Sequence, residues 1–161
     1  MLTSAQRAVY IAHIRQLPAQ VAALVSALTP EQILTQYLKG EWSVAQNVHH
    51  LADSHMNAYI RCRLAATEDR PTIKAYDQDA WAELPDARNA NLSHSLALLT
   101  ALHARWAEFF ETLPADAWIR TYIHPVSSET AIDDVLQSYA KHGLGHLEQM
   151  QRTLAARPSA N

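Results

Sequence analysis

The chain has 161 residues, 48% of them hydrophobic and 18% charged, with a formal net charge of -3. That length and balance predict one globular domain over residues 1–161, neither disordered nor membrane-spanning, and a cytoplasmic setting with no secretory signal. Three glycines, one cysteine and no basic block exclude Gly-rich nucleotide loops, an internal disulfide, multi-cysteine metal centres and an electrostatic footprint for nucleic acid; Arg61 and Arg63 alone do not make one.

In chain order, residues 4–28 carry Val9, Ile11, Ile14, Leu17, Val21, Leu24, Val25 and Leu28 at helical spacing. Pro18 should kink or divide this first helix, because it lacks a backbone donor and clashes with the preceding turn. Thr29-Pro30-Glu31-Gln32 reads as a capped start with proline at the first helical position, opening a short helical turn that ends before Gly40. Ser43-Val44-Ala45-Gln46 is a second capping box, whose helix runs to about Ala66.

Residues 70–90, with two prolines, four acidic residues and Trp81, read as a long connection of a length often tied to function. A third long helix covers about 93–113, carried by Leu96, Leu99, His103, Trp106 and Phe110. Residues 114–128 read as an irregular connection containing His124-Pro125. Thr130-Ala131-Ile132-Asp133 is expected to cap a final helix that extends to about Ala156. Four long helices with no strand pattern predict an all-α four-helix bundle. The long connections after the second and third helices permit crossovers.

On the final helix Val135, Tyr139, His142, His146 and Met150 form one seam, and residues four apart share a face, so His142 and His146 can reach one metal ion. Gly143 and Gly145 break the helical propensity rule at that turn, as happens where backbone or ligand must approach closely. A third ligand must come from a facing helix. The second helix offers His49, among Ala45, Ala52 and Met56, His50, on a polar stripe with Asn47, Asp53, Ser54 and Asn57, and His55; spacing does not choose among them. Asp53, one turn from His50, is a candidate to orient that imidazole or accept a proton. Cys62 has the apolar helical setting of a buried structural thiol. The aromatics Trp42, Trp81, Trp106, Trp118 and Phe110 read as core or pocket wall. A His-Glu-x-x-His protease motif and a Gly-x-Ser-x-Gly elbow are both missing.

Trp42-Ser43, six residues, then His50-Leu51-Ala52-Asp53-Ser54-His55 resembles the first-ligand motif of the DinB-like superfamily. The run through Met56-Asn57-Ala58-Tyr59-Ile60-Arg61, Thr67-Glu68-Asp69, Pro71, Ile73, Tyr76-Asp77 and Trp81 is similar to its YfiT branch. So are Ser95-Leu96-Ala97-Leu98-Leu99, His103, Trp106, His124-Pro125, Tyr139-Ala140 and His142-Gly143.

That branch is described as metal-dependent hydrolases and includes bacillithiol S-transferases. The resemblance implies a DinB/YfiT-like four-helix bundle in which His50, His142 and His146 bind one divalent ion, zinc or nickel. It also implies a small-molecule substrate or low-molecular-weight thiol, and a homodimer. Lys141, Gly145 and Gln149 depart from the branch pattern, which has tryptophan at the first position and histidines at the other two. An open position on the ion would support hydrolysis by an activated water or S-transfer by a thiolate. A metal site closed by His124 or Asp53 would instead indicate a structural or sensory bundle.

Overall fold

The computed structural model describes residues 1–126 and 128–158. In chain order the helices are α1 (Ser4–Val25), α2 (Pro30–Leu34), α3 (Val44–Thr67), α4 (Gln78–Ala82), α5 (Ser93–Thr112) and α6 (Ile132–Ala155). A 3₁₀ turn (Ala115–Ile119) and an antiparallel hairpin of β1 (Thr121–His124) and β2 (Ser128–Ala131) lie between α5 and α6.

Local signals explain most of these boundaries. Thr3, Thr29 and Ser43 each cap a helix through a reciprocal box with Gln6, Gln32 and Gln46, which satisfies two otherwise orphaned backbone groups at each start. The C-terminus of α3 is closed from outside, where the Arg120 guanidinium donates to the carbonyls of Ala65 and Glu68 at 2.8 and 2.7 Å.

Pro18 does not divide α1, which runs unbroken to Val25 and ends short of the expected Leu28. Buried Ile14, Leu17 and Val21 hold the segment in place around it. The missing N–H leaves the Ile14 carbonyl, four residues back, without its usual intrahelical donor.

Two expectations are corrected at the last connection. The segment expected to be irregular contains the hairpin, in the register Thr121↔Ala131 to His124↔Ser128, and the stretch at 71–73 joins its edge through Ile73 N–H to Ile123 O and Ile123 N–H to Pro71 O. Strands this short carry too few alternating positions to register as a pattern. Thr130 therefore lies in β2, and the N-cap of α6 is Ala131, without a side-chain cap. The Asp133 carboxylate instead accepts from Leu2 N–H at 2.5 Å and Arg7 Nε at 2.8 Å, tying the starts of α6 and α1 together.

Each long helix packs against two others, in the ring order α1, α5, α3, α6. Contacts fix the directions. Gly143 faces Leu17 and Asp133 pairs with Arg7, so α1 and α6 are parallel. His49 meets Ser95 and His55 meets His103, so α3 and α5 are parallel. Asn47 meets His146 while His55 meets His142, so α3 and α6 are antiparallel.

The chain thus crosses the bundle diagonally after α1 and after α5. The long connection after α3 has a different reason. It must return along the bundle, roughly 30 Å for a helix of about 20 residues, because α3 and α5 are parallel neighbours.

The apolar core is split. One cluster gathers Ile14, Cys62, Trp106, Phe110, Trp118 and Leu136. The other gathers Leu17, Val21, Leu51, Leu99, Leu147 and Met150. On α3, α5 and α6 the changeover falls at a level occupied by His55, His103 and His142.

Candidate metal centre

His50 on α3 and His142 and His146 on α6 face one another across the antiparallel helix pair. Their ligand nitrogens all lie within 4.8 Å of one another, the one such group of three or more His, Cys, Asp or Glu among the described residues. The Nε2 of His142 is 3.3 Å from that of His50 and 3.1 Å from that of His146. Trp42 forms a wall, stacked on His146 with centroids 6.1 Å apart and tilted against His50 at 4.7 Å.

Hydrogen bonds behind the cluster determine where the protons sit. A carbonyl only accepts, so at 2.6 Å from the Ile14 oxygen the Nδ1 of His103 carries its hydrogen. A neutral His103 then has a lone pair on Nε2, which accepts from His55 Nδ1–H at 2.9 Å. His55 Nε2 in turn accepts from His142 Nδ1–H at 3.1 Å.

His146 is fixed separately. The Asn47 Nδ2 group donates to the Ser43 carbonyl at 2.9 Å, which turns Asn47 Oδ1 toward His146 Nδ1 at 2.7 Å. His142 and His146 therefore both present bare Nε2 lone pairs, facing each other at 3.1 Å with no hydrogen between them.

Burial keeps the imidazoles neutral. Desolvation holds His50 at a pKa of about 4, helped by the neighbouring His146, and holds His142 at about 3, helped by His146 and His50. The same cause places His146 at about 4 against a raising hydrogen bond from Gln149, and His103 at about 4 against a raising bond from Ile14. The fully buried His55 is pushed well below the ordinary range.

Converging neutral lone pairs repel unless a cation joins them, and neutral imidazole is the ligand form of histidine. Two nitrogens each about 2.0–2.1 Å from a tetrahedral cation stand about 3.3 Å apart, close to the 3.3 and 3.1 Å that separate His142 Nε2 from its two neighbours. The donor set fits a divalent ion.

A cavity of about 390 Å³ opens beside His142, lined also by Tyr139, Ser54, Tyr76, Arg61 and His124. Burial raises the pKa of Tyr76, and the neighbouring Ser54 opposes that rise. This is the space available to a small molecule next to the cluster.

The other expected site residues fall elsewhere. Asp53 lies in a separate cleft of about 230 Å³ with His49, Trp81 and Asp86, outside the three-histidine group. Burial and Asp86 raise its pKa while His49 opposes them. His49 tethers α3 to the α5 region through Ser95 Oγ at 2.8 Å and the Asn89 carbonyl at 3.0 Å. Cys62 is fully buried, with its thiol pushed up to about 12.

Of the aromatics, Trp106, Phe110 and Trp118 are core, whereas Trp42 and Tyr139 line the centre. Neither glycine makes room for an ion. A Cβ at Gly143 would overlap Leu17 of α1, and one at Gly145 would meet open space.

Sequence reasoning missed the roles of Asn47, His55 and His103. Two signals were available. His103 sat in an apolar seam, where an imidazole needs partners for both nitrogens. Pro18 stood four residues after the carbonyl that supplies one of them.

Comparison with known proteins identifies the family and the fold. Residues 13–150 match the profile of the DinB superfamily. The chain is 38% identical over 157 residues to "Putative metal-dependent hydrolase YfiT" of Bacillus subtilis (strain 168), covering 95% of this chain and 88% of the relative. A protein of the same description from Oceanobacillus iheyensis is 46% identical over 138 residues, covering 86% and 80% of the two chains. The solved structure of the B. subtilis YfiT superposes with a TM-score of 0.91, at 38% identity and over 95% of this chain and 88% of that one. Its description reports an unusual four-helix bundle topology.

Proposed function

The chain belongs to the DinB superfamily, and on that premise we propose that it is a metal-dependent hydrolase acting on a small molecule, with one divalent ion held by His50, His142 and His146. The observation that carries the reading is the pair of bare Nε2 lone pairs on His142 and His146 beside a cavity. An all-imidazole set suits zinc or nickel. When bound, the ion supplies Lewis acidity toward a water or thiol nucleophile and toward the negative charge that develops on an electrophile.

The protein's own residues do the rest. His55 and Asn47 hold the two imidazoles of α6 in the ligand tautomer. Trp42 shields one side of the cluster, and the open cavity admits the substrate on the side of His142. Structural zinc sites are normally closed by a fourth protein ligand, and among the described residues neither Asp53 nor His124 joins the group. This favours catalysis over a structural role.

One observation favours thiol S-transfer as the second reading. The cavity lining contains no carboxylate among the described residues, so the carboxylate base of metal-assisted hydrolysis is missing from it and His124 is the remaining candidate, whereas a thiolate nucleophile needs less proton traffic. The same reading takes the protein as a cytoplasmic homodimer. Among the described residues no helix is long and apolar enough to cross a membrane.

The test uses purified, zinc- or nickel-loaded protein against ester and amide panels, and separately against bacillithiol, mycothiol or glutathione with an electrophile. Hydrolysis abolished by chelation supports the first reading. Thiol consumption abolished by chelation, without hydrolysis, replaces it with the second. Light scattering of the same sample reads the oligomeric state.

A further inference from the structure

Arg61 is a buried cation with no counter-ion among the described residues. Its residue exposure is 7%, and no described carboxylate lies within ion-pair distance of it, although five other arginines form such pairs. A guanidinium has five N–H donors, and the protein engages one group, Nη2, through a long 3.4 Å bond to the Lys74 carbonyl. Burying a charge without a partner is costly, so such groups are ordinarily paired. Arg61 instead lines the cavity that His142 opens into.

Its position is set by the helix. His50, Ser54, Asn57 and Arg61 follow one another on α3 at spacings of four, three and four, which keeps them on one stripe. The metal centre and the guanidinium thus stand at opposite ends of one wall. Their Cα atoms are about 16 Å apart along the axis at 1.5 Å per residue, and the long Arg61 side chain leans back toward the centre. Ser54 and Tyr76 lie on the lining with it. The positive field of Arg61 acts on its surroundings, lowering the pKa of His124 after desolvation and opposing the upward push of burial on Tyr76.

We infer that this cavity binds a small substrate through a carboxylate or phosphate group, with the Arg61 guanidinium as the counter-charge and the Ser54 and Tyr76 hydroxyls beside it. The reacting centre of that substrate lies at the opposite end, toward His142. The inference rests on reading the three histidines as a catalytic metal centre. A planar fork that donates two parallel bonds to an oxyanion is the geometry in which arginine is superior to lysine.

The test is a titration of full-length protein, zinc-loaded and zinc-free, with succinate, inorganic phosphate and the neutral succinamide. It is followed by calorimetry and by amide chemical shifts of residues 54, 76 and 139. Saturable binding of succinate or phosphate that moves these signals, at least tenfold weaker in Arg61→Gln and intermediate in Arg61→Lys, is the expected result. Which of the two anions binds identifies the group. Succinamide binding as tightly as succinate, or an Arg61→Gln variant with wild-type affinity, overturns the inference.

If Arg61→Gln fails to fold, Arg61→Lys and Tyr76→Phe carry the same comparison, and unchanged affinity in both overturns it. Zinc content is measured in parallel. A protein that holds zinc and binds neither anion refutes the inference and leaves the proposed function standing. A protein whose three histidines hold no zinc refutes the proposed function, while the titration still decides whether Arg61 is an anion site.

Discussion

His103 on α5 donates from Nδ1 to the Ile14 carbonyl of α1 at 2.6 Å, the acceptor that Pro18 leaves without a helical donor. A proline that would ordinarily weaken a helix thereby roots a chain of three imidazoles, His103, His55 and His142, that ends in the three-histidine group. Replacing His103 by Phe keeps a buried ring and removes both nitrogens. Zinc affinity is expected to fall about 10–100-fold, the usual cost of losing such an outer partner, as read by competition with a chromophoric chelator. Pro18→Ala returns a competing N–H to Ile14 and is expected to cost less than tenfold, since a carbonyl can accept twice. Unchanged affinity in His103→Phe would show that the chain of imidazoles does not orient His142.

Asn47 plays the corresponding part for His146. With its amide fixed by the Ser43 carbonyl, Oδ1 is the only acceptor it offers to the imidazole. Asn47→Leu should lower zinc affinity by about 10–100-fold, while Asn47→Asp, which keeps an acceptor and adds charge, should retain or exceed the wild-type value. Equal losses in the two variants would argue against an orienting role.

The two glycines of α6 should respond in opposite directions. At Gly143 an added methyl meets Leu17, itself 2% exposed, so Gly143→Ala is expected to destabilise by about 1–3 kcal/mol through overpacking. At Gly145 the methyl meets nothing, and Gly145→Ala should stabilise by about 1 kcal/mol from helix propensity alone. Urea unfolding of the metal-free proteins measures both, and a destabilised Gly145→Ala would contradict the open surroundings.

Acid should weaken the metal-free fold in a defined window. The imidazoles of His50, His103 and His146 stay neutral down to about 4 and that of His142 to about 3, whereas an unfolded histidine protonates near 6.5. The unfolded chain therefore binds more protons between these values, so stability is fully present above about 6.5 and is lost as pH falls toward 4. Thermal unfolding should show Tm falling on the order of 10 °C between pH 7 and 4.5. A flat profile across that window would mean that the histidine layer is not buried and neutral.

The legible part of this protein is what local pattern encodes. Helical spacing revealed the four long helices, the boxes at Thr29 and Ser43 marked two of their beginnings or those of their neighbours, and the family motif singled out His50 from His49 and His55. The hairpin at 121–131 was hidden by strands of four residues, and the diagonal order by the fact that connection length does not say which neighbour a helix meets. Of the two glycines that break helical propensity on α6, Gly143 marks a close approach, that of Leu17 on α1, whereas Gly145 has no neighbour that requires it. Asn47, His55 and His103 act through partners on other helices, so no spacing within one helix announces them.

The central claim is that His50, His142 and His146 hold one divalent ion. Elemental analysis of untagged protein, purified without added metal, tests it directly against His50→Ala, His142→Ala and the control His49→Ala. One zinc or nickel per chain in the wild type and in His49→Ala, with loss in the other two, is the predicted result. Full metal content in His50→Ala and His142→Ala, or none in the wild type even after zinc is supplied, would contradict it.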